Sequence, residues 1–210
     1  MRTARLFLLT ILCLVLAVAP AMADLFNYYS NGPINGTTNA WTISFGLSVS
    51  DSYRLSCVFF CFAQTLDVGV WLVPGDNFGS SDVDFGSTSF GSDYAHIVGA
   101  AATLVSDLGI NQYGYDIREY SLNLGGTVIP QGPGYVTVGN AVETVRGDPV
   151  YWDENSGPST AYENELGSIP SEAFTLIVDS PIFVPEPSSI LLFGSGILGI
   201  AGVLRRKFNR

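Results

Sequence analysis

Trp41-Thr42-Ile43-Ser44-Phe45-Gly46-Leu47-Ser48-Val49 carries an apolar side chain at every second position, with small or polar residues between. Successive side chains of a strand point to opposite faces, so the pattern predicts a half-buried β-strand with Trp41, Ile43, Phe45, Leu47 and Val49 facing inward. Asn31-Gly32 and Asn35-Gly36, just upstream, are turn dipeptides. Downstream, strands are predicted at residues 53–62, 66–73, 113–124, 134–142 and 173–178. Pro74-Gly75-Asp76, Gly125-Gly126, Gln131-Gly132-Pro133 and Asp148-Pro149 punctuate them. Ile97, Val98, Ala101, Leu104, Val105 and Leu108 also fit a helical stripe, but Gly99 and the strand-rich surroundings predict a strand there. Short strands at regular spacing predict an all-β sandwich.

Composition agrees. Residues 1–23 and 184–210 are apolar with basic ends, leaving a body of residues 24–183, enough for one domain with a real core. That body has 19 glycines, 8 prolines and 23 aromatics but no lysine, a balance that disfavours helices. Its three arginines, Arg54, Arg118 and Arg146, face 18 acids, a formal charge of −15. Such a surface repels phosphate backbones, which argues against nucleic acid as a partner. One histidine, His96, excludes multi-histidine metal sites. Its apolar neighbours Ala95 and Ile97 point to a hydrogen-bonded structural role. No G-x-S-x-G elbow occurs, and adjacent Asp153 and Glu154 on a strand would face opposite sides. No nucleophile–base pair is readable, so the chain is not expected to be an enzyme.

The two ends read as addresses. Arg2 and Arg5 precede an apolar run at residues 6–18, and Ala21-Met22-Ala23 supplies the small residues that signal peptidase requires. Residues 1–23 are therefore a predicted signal peptide, cleaved after Ala23 to leave Asp24 first. At the other end, Pro185-Glu186-Pro187 precedes an uncharged apolar run at residues 190–204, then Arg205-Arg206-Lys207. The run predicts a short single transmembrane helix whose basic end stays in the cytoplasm.

A Pro-Glu-Pro tripeptide, a short span and a basic cluster, in that order over residues 184–210, resemble the PEP-CTERM sorting signal of Gram-negative bacteria. The resemblance implies export across the inner membrane and anchoring there before processing. It also implies recognition by exosortase, a membrane cysteine transpeptidase, then a cell-surface or extracellular fate. It further implies an exopolysaccharide and biofilm setting. Inner stretches are similar to one group of PEP-CTERM proteins. They include Asn31-Gly32-Pro33-Ile34-Asn35-Gly36, Gly69-Val70-Trp71, Tyr113-Gly114-Tyr115 and Asp148-Pro149-Val150-Tyr151-Trp152-Asp153-Glu154-Asn155. That likeness implies a jelly-roll-like antiparallel β-sandwich and brings no activity with it.

Three constellations are candidate chemistry. Tyr151, Trp152, Asp153 and Asn155 combine flat aromatic surface with hydrogen-bonding groups, as a sugar site does, and Pro149 and Pro158 bracket them as a loop. Trp152 reads equally as core, as Trp41 and Trp71 do. Asp76, Asp82, Asp84 and Asp93 offer hard oxygens on a Gly/Ser-rich stretch, which suits Ca²⁺, though their spacing matches no calcium-loop template; no other cofactor is suggested. Cys57 and Cys61 remain after signal removal. On a straight strand their α-carbons would lie about 13 Å apart, beyond bridging. A bulge at Val58-Phe59-Phe60 would allow a disulfide, and burial as two small apolar residues is the alternative.

Overall fold

The computed structural model describes residues 25–180, apart from 37, 145 and 146. The signal peptide with Ala21, Ala23 and Asp24, and the tail with Pro185, Glu186, Pro187, Arg205, Arg206 and Lys207, lie outside the described residues. So does the predicted transmembrane helix.

Among the described residues there are ten strands and no helix. They are β1 (Leu25–Ser30), β2 (Ala40–Thr42), β3 (Ser48–Leu72), β4 (Phe78–Gly86), β5 (Ala95–Ile110), β6 (Asp116–Glu143), β7 (Tyr151–Asp153), β8 (Ala161–Glu163), β9 (Gly167–Ile169) and β10 (Phe174–Ser180). All pair antiparallel in one sheet of order β1-β10-β3-β6-β4-β5, with β5 returning to pair β6 and the short β7 joining β2 to β3. The all-β, antiparallel expectation is met.

β3 and β6 run for 25 and 28 residues, and each replaces two predicted strands. The Gly125-Gly126 and Gly132-Pro133 signals are not chain reversals. Gly125, Gly126 and Gly132 take φ of 64°, 75° and 98°, left-handed values open to glycine, inside a continuing strand. The β3–β6 register slips there, between Leu55 and Phe60 and between Ala63 and Thr65. Bulges of this kind bend a strand without ending it. One half of β6 can therefore pair with β5 and the other with β4. Buried side chains from both halves, among them Leu122 and Val138, join Val49, Leu66, Trp152 and Leu176 in one core.

The slip beside Leu55 also settles the cysteines. Leu55 pairs with Gly132 and Phe60 with Pro130, so β3 carries three more residues than β6 over this step. The surplus draws Cys57 and Cys61 to a Cα–Cα distance of 5.7 Å, and they form a disulfide. The straight-strand separation does not apply, because the strand is bulged where the sequence allowed it to be.

Two strand assignments need correction. The alternating stretch 41–49 is not one strand. β2 ends at Thr42, and Leu47 N–H donates to Ser44 O (3.1 Å) across a turn in which Phe45 and Gly46 take φ of 57° and 82°. Ile43 and Val49 are buried as predicted, but Phe45 sits on the turn at 69% exposure. Ser44 is held inward because its hydroxyl accepts from Val150 N–H (3.1 Å), which breaks the phase. Trp41 is half-buried at the core's margin, its indole N–H donating to Glu154 (3.3 Å), whereas Trp71 is core as predicted. Residues 78–86, in the Gly/Ser-rich stretch where no strand is predicted, form β4: Val83 and Phe85 face the core, and Asp82 and Asp84 face outward between them.

Candidate functional site

β7 lies between β2 and β3, with Trp152 opposite both Trp41 and Val70. Trp152 points inward: it is fully buried, its ring is tilted on Phe174 at 5.8 Å, and its indole N–H donates to Ala173 O (3.0 Å). Asp153 and Asn155 are buried as well. A sugar cannot stack on Trp152, so the proposed loop site at these three residues is corrected to a structural one.

The reason is the 31–36 loop, which closes over β7. Asp153 accepts from Trp71 Nε1–H (2.7 Å), Asn35 N–H (3.0 Å) and Gly36 N–H (3.1 Å). Asn155 donates from Nδ2 to Asn31 O (2.8 Å) and accepts at Oδ1 from Gly157 N–H (2.7 Å). Gly36 lies so close to Ile117 that a Cβ would collide with it. Asn31, in turn, donates to Asp51 (2.8 Å), and Asp51 also accepts from Ser159 (2.9 Å) and Glu172 N–H (2.9 Å). The turn dipeptides and the Asp153–Asn155 run are thus halves of one buried hydrogen-bonded frame. Burial pushes the carboxyls of Asp51 and Asp153 above the usual range, against the pull of their donors. Glu172 is pushed up furthest, by burial and then by Asp51, Glu154 and Asp153. Among the described residues neither of its carboxyl oxygens has a hydrogen-bond partner.

The calcium candidates go to separate assignments. Asp76 closes the turn after β3, its N–H donating to Val73 O (3.0 Å). Asp82 accepts from Asn140 (2.8 Å) and Gly99 N–H (2.7 Å), and Asp93 from Ser87 N–H (2.8 Å). Asp84 lies 2.5 Å from His96 Nδ1 on the paired strand. Among the described residues no three His, Cys, Asp or Glu side chains are grouped to hold a metal ion.

The Asp84 bond raises the His96 pKa above its ordinary value. The protonated imidazole is the favoured partner, so this stabilisation is complete below the unfolded-state pKa and is lost as pH rises through the folded one. A proton-detected titration of His96 is expected to give a midpoint above about 6.5, returning toward it in Asp84→Asn. Equal midpoints in both proteins would refute the pairing.

Tyr151 is the one candidate sugar residue that reaches solvent. It forms one wall of an open cleft of about 500 Å³ with Thr38, Asn39, Trp71, Tyr113 and Tyr115. Sequence reading missed Tyr113 and Tyr115 in this role, although Tyr113-Gly114-Tyr115 before a strand was the available signal.

The family model of the PEP-CTERM protein-sorting motif matches residues 183–207. No curated protein matches the chain. The motif marks an exported chain with a membrane-anchored sorting signal of the Gram-negative kind, processed by exosortase.

Proposed function

We propose that the chain is a non-enzymatic cell-surface or matrix protein. In this reading signal peptidase removes residues 1–23, and exosortase releases or attaches a jelly-roll-like acidic body that serves in an exopolysaccharide or biofilm matrix. The observation that carries the reading is the sorting motif at residues 183–207. The Cys57–Cys61 disulfide supports it independently, because such bonds persist in oxidising compartments outside the cytosol. A body in which three arginines face 18 acids also suits a soluble, hydrated matrix component.

The test is intact-mass analysis of the protein recovered from the native cell surface or medium. The expected species begins at Asp24, lacks everything from about Pro187 onward, and is two hydrogens lighter than the dithiol. Replacing Pro185-Glu186-Pro187 by three alanines should leave the tail in place and the protein in the inner membrane. A mature wild-type species that still carries Arg205-Arg206-Lys207 would refute exosortase sorting and leave a plain membrane anchor.

A further inference from the structure

The cleft beside β7 is built before any ligand arrives. Asn111, in the turn between β5 and β6, accepts at Oδ1 from the N–H groups of both Tyr113 and Tyr115 (3.0 Å each), while its own N–H donates to Tyr115 O (2.9 Å). Gly114, at φ 86°, makes that turn possible. Asn111 Nδ2 ties the turn to the 31–36 loop through Gly36 O (3.3 Å). Tyr113 then lies nearly flat on buried Trp71, centroids 5.6 Å apart and planes 24° apart, with its hydroxyl donating to Thr38 O (3.4 Å). One ring face is thus occupied, and with the side chain 55% exposed the other is open to solvent. Tyr115 leans on Trp71 at 5.9 Å, and Tyr151 meets Tyr115 edge-on at 5.7 Å and 74°.

Four aromatic rings surround a cleft whose remaining lining is Thr38, Asn39 and Ala40, with the Thr38 hydroxyl donating to Glu154 O (3.0 Å) and keeping its acceptor capacity. Among the described residues no charged side chain lines it. An anion would meet no cation from these residues and would first have to approach a body of formal charge −15. A purely apolar ligand would leave phenol and amide groups poorly used. A pyranose ring matches both halves of the lining: its axial C–H face packs on a tyrosine ring, and its hydroxyls exchange hydrogen bonds with phenol, amide and threonine groups. Two tyrosines rigidified by one turn lose little side-chain freedom on binding.

We propose that this cleft is a glycan-binding site for neutral hexopyranose chains, with Tyr113 and Tyr151 as stacking platforms and Trp71 and Asn111 as the groups that position them. Tyr151 remains an O–H donor at neutral pH, since burial and then Tyr115 raise its phenol pKa. The site differs from the buried Trp152 frame, and it stands or falls separately from sorting, because the body carries it before and after the tail is cut.

The test is titration of the exported protein with cellohexaose, mannohexaose and chitohexaose, followed by intrinsic fluorescence and calorimetry. Hexagalacturonate serves as the anionic probe and decaproline as the peptide probe. At least one neutral hexasaccharide is expected to bind, and hexagalacturonate is not. Tyr113→Ala and Tyr151→Ala should each weaken that binding about tenfold or more, the corresponding phenylalanine variants less, and Leu108→Ser on exposed β5 not at all. Failure of all three neutral chains to bind would overturn the proposal. So would binding unmoved by both alanine variants, or decaproline binding more tightly than every sugar. Each of these results would leave the mass test of sorting untouched.

Discussion

Trp152→Ala is expected to lower the stability of the body by about 3–5 kcal/mol, the range for removing a large aromatic from a packed core. The indole is fully buried, tilted against Phe174, and spends its N–H on Ala173 O just before β10. Truncation would open a cavity between β7 and β10 and leave that carbonyl with Gly69 N–H alone as donor (3.2 Å). Against a typical stability of about 5–15 kcal/mol, the loss is large enough to shift a urea midpoint well outside error. The neighbouring Tyr151 supplies the contrast. It alternates to the open side of the same strand, so Tyr151→Ala should cost no more than about 1 kcal/mol. Equal midpoints for the two variants would mean that the phase of β7 is reversed. The cleft and the buried frame would then have to exchange roles.

That phase marks the limit of what the linear sequence discloses. Ile43 and Val49 are buried as their apolar alternation predicts, although a turn separates them, because a period of two is a local property. The all-β class was legible for the same reason, as was the 134–142 run, whose turn residues and β-branched side chains agree. Bulges were not. A Gly-Gly pair reads as a reversal, yet in β6 it bends a strand whose pairing with β3 resumes on both sides of it, at Asn123 and Thr127. The sorting motif at residues 183–207 was legible, since its recognition depends on order along the chain. The frame and the cleft were not, since they are set by pairs far apart: Trp71 bonds Asp153 across 82 positions, and Tyr113 reaches Thr38 across 75. Trp152 was the conspicuous aromatic, but burial is decided by the strands on either side of β7. The tyrosines that stay open flank a glycine turn of no special composition.

The pH dependence of folding is expected to run opposite to that of most proteins, falling as pH rises above about 4.5, the ordinary glutamate value. Most carboxylates gain partners on folding, so their pKa drops and acid destabilises. Here one fully buried acid has gained no side-chain hydrogen bond among the described residues. Glu172 sits in the frame with no hydrogen-bond partner among the described residues for either carboxyl oxygen, facing Asp51 from β3 and Asp153 and Glu154 from β7 and its exit. Its folded pKa lies well above the unfolded one, and Asp51 and Asp153 shift the same way through burial. Between the two pKa values the native state holds more protons than the unfolded chain, so raising the pH favours unfolding. For one group the slope is about 1.4 kcal/mol per pH unit through that window. Below the unfolded-state value the stability is complete, and above the folded-state value the curve levels off. Urea midpoints from pH 4 to 8 should therefore decline across the window. Glu172→Gln keeps the shape but cannot ionise, so its curve should be flatter by about one proton, with the largest difference from wild type at the alkaline end. Asp84→Asn, which acts on the exposed His96 pair, should leave most of that decline in place. If the wild-type midpoint climbs with pH, or if Glu172→Gln runs parallel to it, Glu172 is charged in the folded protein. The buried frame must then hold a positive counterpart for it.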